Sequence, residues 1–191
     1  MKGRHIDICI IIVYIIIGVL TRTVWHIAPN VEFVTAFTLA ASYFVHRSYS
    51  LSVPFGIMVI SDLILGNSPV FIFTWSAFLA GWGIGRLIKK FKFKKTISGF
   101  IKTGILSESA GILSTVFFYL WTNFGVVVVS NLYPKTLEGV IQSLVMGLPF
   151  LVPQILGNLI IVPSIFLVTS ILYSKKALLL DFIKYKLISN R

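Results

Sequence analysis

The chain has 191 residues, of which 57% are hydrophobic and 12% are charged, and its formal net charge is +11. Soluble domains carry about 25% charged residues, so this composition excludes an ordinary soluble domain and predicts that lipid is the main solvent. The length allows one membrane domain, residues 1–191, and no separate soluble domain. Apolar runs of about 20 residues recur without the alternation of membrane strands, which predicts an all-α fold.

Taken in chain order, the apolar runs predict six transmembrane helices. They cover residues 6–21, 31–46, 51–66, 70–88, 98–120 and 150–173. Pro153 and Pro163 predict breaks or bends in the sixth helix. Residues 121–138 are predicted to be a polar connection, and residues 136–147 can form a short helix at the membrane interface. The tail, residues 174–191, is predicted to be a basic amphipathic helix that lies on an anionic leaflet.

The positive charges between these helices predict the orientation. With the N-terminus inside, the cytoplasmic segments hold Lys2, Arg4, Arg47, six cations in residues 86–95 and those of the tail, whereas the outer connections hold only Arg22 and Lys135. Cytoplasmic segments carry excess lysine and arginine, so both termini are predicted to be cytoplasmic, in a plasma-membrane protein. The same asymmetry accounts for the net charge, and no nucleic-acid partner is predicted because no base-stacking or groove-reading motif accompanies it.

Acidic residues at membrane depth are costly and are therefore candidates for function. Glu32 begins the second helix, Asp62 lies toward the outer end of the third, and Glu108 lies within the fifth. Arg22, in the first outer connection, is the natural cationic partner of Glu32 or Asp62. Two interpretations stay open for these groups, a structural ion pair that fixes helix packing and a contact with a solute.

Aromatic and amide side chains gather toward the predicted outer side. Candidates for solute binding there are Trp25, His26, Asn30, Trp75, Trp121, Asn123 and Tyr133. Gln142, Gln154 and Asn158 can add amide hydrogen bonds to a planar, heteroatom-rich ligand. The alternative roles are interface anchoring for the aromatic residues and hydrogen bonding between helices for the amides. Two outer connections of about nine and sixteen residues could fold over a cavity as a lid.

Small residues recur four positions apart, which predicts close helix packing with another helix of the chain or with another subunit. These are Ala36 and Ala40, then Ala77, Gly81 and Gly85, and a stripe at Ser107, Gly111 and Thr115.

Motifs of enzymes, of metal sites and of phosphate-binding loops are absent from the sequence. We therefore predict a protein that is not an enzyme and uses no metal or cofactor, and any ATPase that energises it must be another chain.

Several segments together resemble a known class of membrane protein. They are Pro29 to Phe33 leading into Ala36 to Phe44, Ser61-Asp62-Leu63, Thr74 to Arg86, Trp121 to Gly125 and Leu132 to Gly139. The chain resembles the substrate-binding S components of energy-coupling factor (ECF) vitamin transporters, and more closely an uncharacterised bacterial membrane family related to them. The resemblance implies a solute pocket that opens outward and is capped by the first connection. It also implies docking on a transmembrane coupling protein that is driven by two ATPase subunits.

The predicted docking surface departs from that class. S components commonly dock through an Ala-x-x-x-Ala face on the first helix, which here offers only Gly18, so Ala36, Ala40, Ala77, Gly81 and Gly85 are the alternative. The predicted function is a membrane-embedded substrate-binding subunit for uptake of a small, vitamin-like micronutrient. Two alternatives stay open, a stand-alone permease or channel with Asp62 and Glu108 as relay groups, and a structural membrane protein.

Overall fold

The computed structural model describes residues 2–25, 28, 30–31, 33–91 and 96–189, and the side chains of all of these except 2–4, 97 and 175–189. The described residues contain helices and no strand, which confirms the all-α class. The helices are α1 (Lys2–Thr23), α2 (Val34–Phe44), α3 (Arg47–Ser50), α4 (Ser52–Leu65), α5 (Phe71–Ile88), α6 (Ile97–Val129) and α7 (Leu137–Ser189). Apart from the four-residue α3, this gives the six predicted helices within the described residues.

Among the described residues, five segments are long and apolar enough to cross a membrane. They are His5–Thr23, Arg47–Leu65, Phe71–Ile88, Ser98–Val129 and Leu137–Ser174. The chain is therefore a multi-pass membrane protein. The predicted bounds of the second helix, residues 31–46, are too wide, because α2 has 11 residues and is only about 16 Å long. Every residue from Val34 to Ser42 is buried, so α2 lies inside the bundle and does not need the length of a lipid-facing helix.

Both later helices extend beyond their predicted bounds. α6 continues through residues 121–129, which were predicted to be part of a connection, so Trp121 and Asn123 lie on a helix. α7 runs without interruption through residues 137–149, where a separate interfacial helix was predicted, and it contains Pro149, Pro153 and Pro163. Prolines are tolerated inside membrane helices when neighbouring groups satisfy the freed carbonyls. The backbone of the predicted amphipathic tail is helical as far as Ser189, while its side chains and residues 190–191 lie outside the described part.

The core is built around α2, which contacts α1, α4, α5, α6 and α7. Phe37 and Leu39 on α2 and Ile57 on α4 are almost completely buried in this core. α2 and α5 are in close contact at Gly85, where a Cβ atom would lie 1.7 Å from Ser42 Oγ. The small residues of these two helices therefore allow their backbones to pack closely.

Side-chain contacts define the two ends of the bundle. At the Asn30 end, named for the connection 24–33 that contains this residue, Arg22 of α1 meets Asp62 of α4. The connection 130–136 belongs to the same end, because its Leu132 and Tyr133 line one cavity with Asn30. The connection 66–70 also belongs to this end, because it follows α4 shortly after Asp62. At the opposite end, the Asp7 end, Tyr173 Oη donates to Asp7 Oδ1 at 2.8 Å, and the backbone N–H of His46 donates to Asp7 Oδ2 at 3.4 Å.

Candidate functional site

A cavity of about 340 Å³ lies between α6 and α7 at the Asn30 end. Its described lining residues come from both helices and from two connections. They are Asn30, Phe118, Tyr119, Thr122, Asn123, Val126, Leu132, Tyr133, Ser143, Met146, Gly147, Phe150, Leu151 and Gln154. The volume falls within the range of about 300–1,000 Å³ that is usual for small-molecule sites.

Helical spacing explains how α6 and α7 form the two walls. On α6, Tyr119, Thr122, Asn123 and Val126 lie three or four residues apart and share one face. On α7 the same spacing puts the residues from Ser143 to Gln154 on a facing stripe. The connections then contribute Asn30 and Tyr133 at the end of the bundle. Asn30 adopts φ 57°, a left-handed conformation that asparagine tolerates better than most residues.

Hydrogen bonds fix the polar side of the cavity. Asn123 Nδ2 donates to the carbonyl of Tyr119 at 2.8 Å, and Ser143 Oγ donates to Asn123 Oδ1 at 3.2 Å and to the Asn123 carbonyl at 3.1 Å. Tyr119 Oη donates to the backbone carbonyl of Leu144. A Cβ atom at Gly147 would lie 2.7 Å from Asn123 Oδ1, so only glycine allows α7 to approach this amide so closely. These bonds tie α6 to α7 and hold the amide in place before any ligand binds.

The chemistry of this lining is neutral and mixed. Among its described residues there is no Asp, Glu, Lys, Arg or His, and the polar groups are the amides of Asn30, Asn123 and Gln154 together with hydroxyl groups. Aromatic and aliphatic side chains cover the remainder. A few placed hydrogen-bonding groups in a mostly apolar cleft suit an uncharged, amphipathic molecule.

Arg22 and Asp62, two of the predicted charged residues, lie elsewhere at the same end of the bundle. Arg22 Nη2 lies 3.0 Å from Asp62 Oδ1, and their side chains are only 16% and 8% exposed. Trp75 Nε1 donates to Asp62 Oδ2 at 2.7 Å, and Arg22 Nη1 lies 2.7 Å from Met58 Sδ. This ion pair joins α1, α4 and α5, and none of its members lines the cavity between α6 and α7. Among the described residues, the predicted solute-binding residues therefore do not all meet at one cavity.

Other predicted solute-binding residues make contacts with their own chain. Trp121 Nε1 donates to Ser76 Oγ at 2.8 Å, and Asn158 Nδ2 donates to Thr115 Oγ1 at 2.8 Å between buried groups. Gln142 is exposed and lies 3.5 Å from Glu138 on its own helix. Trp25 is 57% exposed. His26 and Glu32 lie outside the described residues.

The predicted docking residues are enclosed by the chain itself. Ala36 and Ala40 are fully buried on α2, Ala77 is 3% exposed on α5, and Gly81 and Gly85 are buried beside them. A surface buried inside the bundle cannot contact a second protein in this conformation. The structure therefore assigns these residues to packing within the chain, which was one of the two interpretations of their spacing.

Several cavity residues were not anticipated from the sequence, most clearly Tyr119, Ser143 and Phe150. The signal was the helical spacing of polar residues from Tyr119 to Asn123 and from Ser143 to Gln154. It was missed because the fifth helix was ended at Leu120, which placed Asn123 in a connection.

Comparison with known proteins identifies the family of the chain. No curated protein and no solved structure matches the chain. The model of a family described as a family of unknown function (DUF6580) matches residues 3–180. Because this match spans most of the 191 residues, the protein belongs to the DUF6580 family.

Proposed function

We propose that the protein is a membrane-embedded binding subunit that takes up a small, uncharged or weakly polar micronutrient through the cavity between α6 and α7. The cavity is the observation that carries the proposal. It combines about 340 Å³ of space with amide and hydroxyl groups fixed on two helices. The proposal assigns recognition of the solute to the protein and no catalytic step.

Recognition in this cavity depends on hydrogen bonds in an apolar setting. Asn123 is held by Tyr119 and Ser143, so its amide is offered at a defined position, and Gln154 on α7 is 7% exposed. Hydrogen bonds from a ligand to these amides contribute more binding free energy than the same bonds in water, because a buried amide without a partner is costly. Phe118 and Phe150 supply apolar surface for the remainder of the molecule. An amphipathic, vitamin-like compound fits this arrangement of polar and apolar groups.

The direction of uptake and the energy source rest on the sequence. The excess of lysine and arginine in the segments of the Asp7 end supports a cytoplasmic position for that end, which makes the cavity outward-facing. The resemblance to ECF S components supports an energising module composed of a transmembrane coupling protein and ATPase subunits. With α2 and its small residues enclosed, docking on that module falls to other surfaces of the bundle.

The experiment compares one chemical change at two positions of α7. Gln154→Met removes an amide from the cavity, whereas Gln142→Met makes the same change on an exposed part of the same helix. Small molecules released from denatured, purified protein are identified and counted by mass spectrometry. We expect the wild type and Gln142→Met to carry the same compound, and Gln154→Met to bind it about tenfold more weakly, which corresponds to about 1.4 kcal/mol.

Two results would contradict the proposal. One is equal retention in all three proteins, since the compound would then bind outside the cavity. The other is no retained compound together with no thermal shift across a vitamin panel. Uptake by the chain alone in liposomes with a proton gradient would instead favour the stand-alone permease. Recovery of coupling-protein and ATPase chains from native membranes would support the energised subunit.

A further inference from the structure

A second concave surface lies at the Asp7 end, on the opposite side of the membrane from the solute cavity. It encloses about 410 Å³ and is formed by the end of α5 and the start of α3. Its described lining residues are Arg47, Trp82, Arg86, Leu87, Lys89 and Lys90. We call it the basic groove. Four of these six side chains are cationic, and no acidic residue is among them.

Two of the cations are held in place by the end of α2. Arg86 Nη1 donates to the Ser42 carbonyl at 3.2 Å, and Lys89 Nζ donates to the Val45 carbonyl at 3.3 Å. These carbonyls belong to the C-terminal end of α2, where unsatisfied oxygens attract positive charge. Each bond uses one N–H, whereas a guanidinium has five and an ammonium three. Both groups are therefore positioned while keeping donors for another acceptor.

The positive charges of the groove repel one another. Burial and the neighbouring charge of Arg86 lower the pKa of Lys89 from its ordinary value, although the carboxylate of Asp7 acts in the opposite direction. The negative charge of Asp7 is therefore not enough to offset the burial of Lys89 and its repulsion by Arg86. An anion in the groove would relieve this repulsion.

Apolar surface adjoins the charges. Trp82 is half-buried, and its Nε1 donates to Ser50 Oγ at 3.0 Å, which fixes the indole at the groove. Leu87 is 56% exposed at the end of a membrane-spanning helix. Tryptophan at this level is typical of the membrane interface, where phospholipid headgroups lie. The groove therefore combines clustered donors for an anion with a wall suited to an acyl chain.

We propose that the basic groove binds a phosphate group. Guanidinium and ammonium donors are the usual partners of phosphate oxygens, and basic pockets at the ends of membrane helices suit lipid headgroups. The apolar wall at Trp82 and Leu87 favours the phosphate of an anionic phospholipid over free inorganic phosphate. Neither the composition of the solute cavity nor its proposed ligand enters this inference.

The test removes charges that do not support the fold. Arg47 and Lys90 are exposed and, unlike Arg86 and Lys89, are not the donors to the end of α2. The double variant R47Q/K90Q is compared with K102Q/K135Q, which also loses two positive charges but at exposed positions outside the groove. Purified full-length protein in uncharged detergent is titrated with short-chain phosphatidylglycerol, inorganic phosphate or an oligoglutamate peptide, and binding is measured by calorimetry.

We expect saturable binding of phosphatidylglycerol that R47Q/K90Q weakens about tenfold or more and K102Q/K135Q changes less than threefold. Binding of inorganic phosphate with equal affinity and the same sensitivity would identify free phosphate as the source of the group. Three results would overturn the proposal: equal losses in the two double variants, no saturable binding of either phosphate compound, or binding of oligoglutamate alone. The last would assign the groove to an acidic protein partner.

Discussion

Two glycines of α5, one turn apart, are expected to respond to the same substitution in opposite directions. At Gly85 a Cβ atom would lie 1.7 Å from Ser42 Oγ and 3.0 Å from the Leu39 carbonyl oxygen. Ser42 is fully buried and donates to that carbonyl at 2.8 Å, so turning its hydroxyl away breaks a buried hydrogen bond. At Gly81 the nearest atom to the new Cβ would be Ser114 Oγ at 3.7 Å, an ordinary contact.

The magnitudes follow from these distances. Alanine in place of glycine stabilises a helix interior by about 1 kcal/mol, and Gly81→Ala is expected to show most of this gain. Gly85→Ala has the same gain but must displace α2, and overpacking of this kind costs about 1–3 kcal/mol, with about 1 kcal/mol more for the lost hydrogen bond. The net expectation is a destabilisation of about 2 kcal/mol at Gly85 and a difference of about 3 kcal/mol between the two variants.

Thermal unfolding of the purified variants in one detergent measures this difference. For a chain of this size, about 2–4 °C per kcal/mol translates it into a separation of about 6–12 °C in melting temperature. Equal melting temperatures for Gly81→Ala and Gly85→Ala would refute the reasoning from the α2–α5 contact. A stable Gly85→Ala variant that failed to associate with a second protein would instead restore the docking role predicted from the sequence.

The remaining predictions concern pairs of side chains. Asp62→Asn keeps an acceptor for the Trp75 indole N–H but leaves the Arg22 guanidinium beside a neutral amide. We expect the free energy of unfolding, measured by thermal unfolding, to fall by about 3 kcal/mol. Unchanged stability with loss of a bound solute would instead make the pair a binding site. A double-mutant cycle of Asn158→Leu and Thr115→Val is expected to give a coupling free energy of about 1 kcal/mol, and additive losses would contradict the hydrogen bond between α7 and α6.

Much of the fold could be predicted from the sequence because lipid restricts the backbone to helices. The bounds of α5, Phe71–Ile88, lie within one residue of prediction, since turn residues and a basic cluster flank a clear apolar run. The prediction failed where polar residues serve the interior. The polarity of Thr122 and Asn123 predicts a connection, whereas these residues lie on the face of α6 that meets the cavity. Polarity alone cannot distinguish a buried polar face from a loop.

The candidate site could be predicted only in part. Asn30, Asn123 and Tyr133 were selected for their chemistry and their position near one membrane face, and the structure brings these three to the cavity. Arg22 and Asp62 were selected on the same grounds and lie in a different part of the bundle. Residues at one depth in a membrane can face any direction around the helix axes. The sequence therefore predicts the depth of these residues in the membrane, and only the packing of the helices determines which of them meet.

Charged and neutral contacts between helices lie in different parts of the bundle. The pair formed by Arg22 and Asp62 connects α1 and α4, and buried ion pairs of this kind fix an arrangement because breaking one leaves an uncompensated charge. The contacts that link α6 to α7, at Asn123 and at Asn158, are hydrogen bonds between uncharged groups, which cost less to open. The packing acts in the opposite direction, because α6 and α7 share more contact than any other pair of helices in the described residues, so the uncharged hydrogen bonds alone do not make this the easier contact to open.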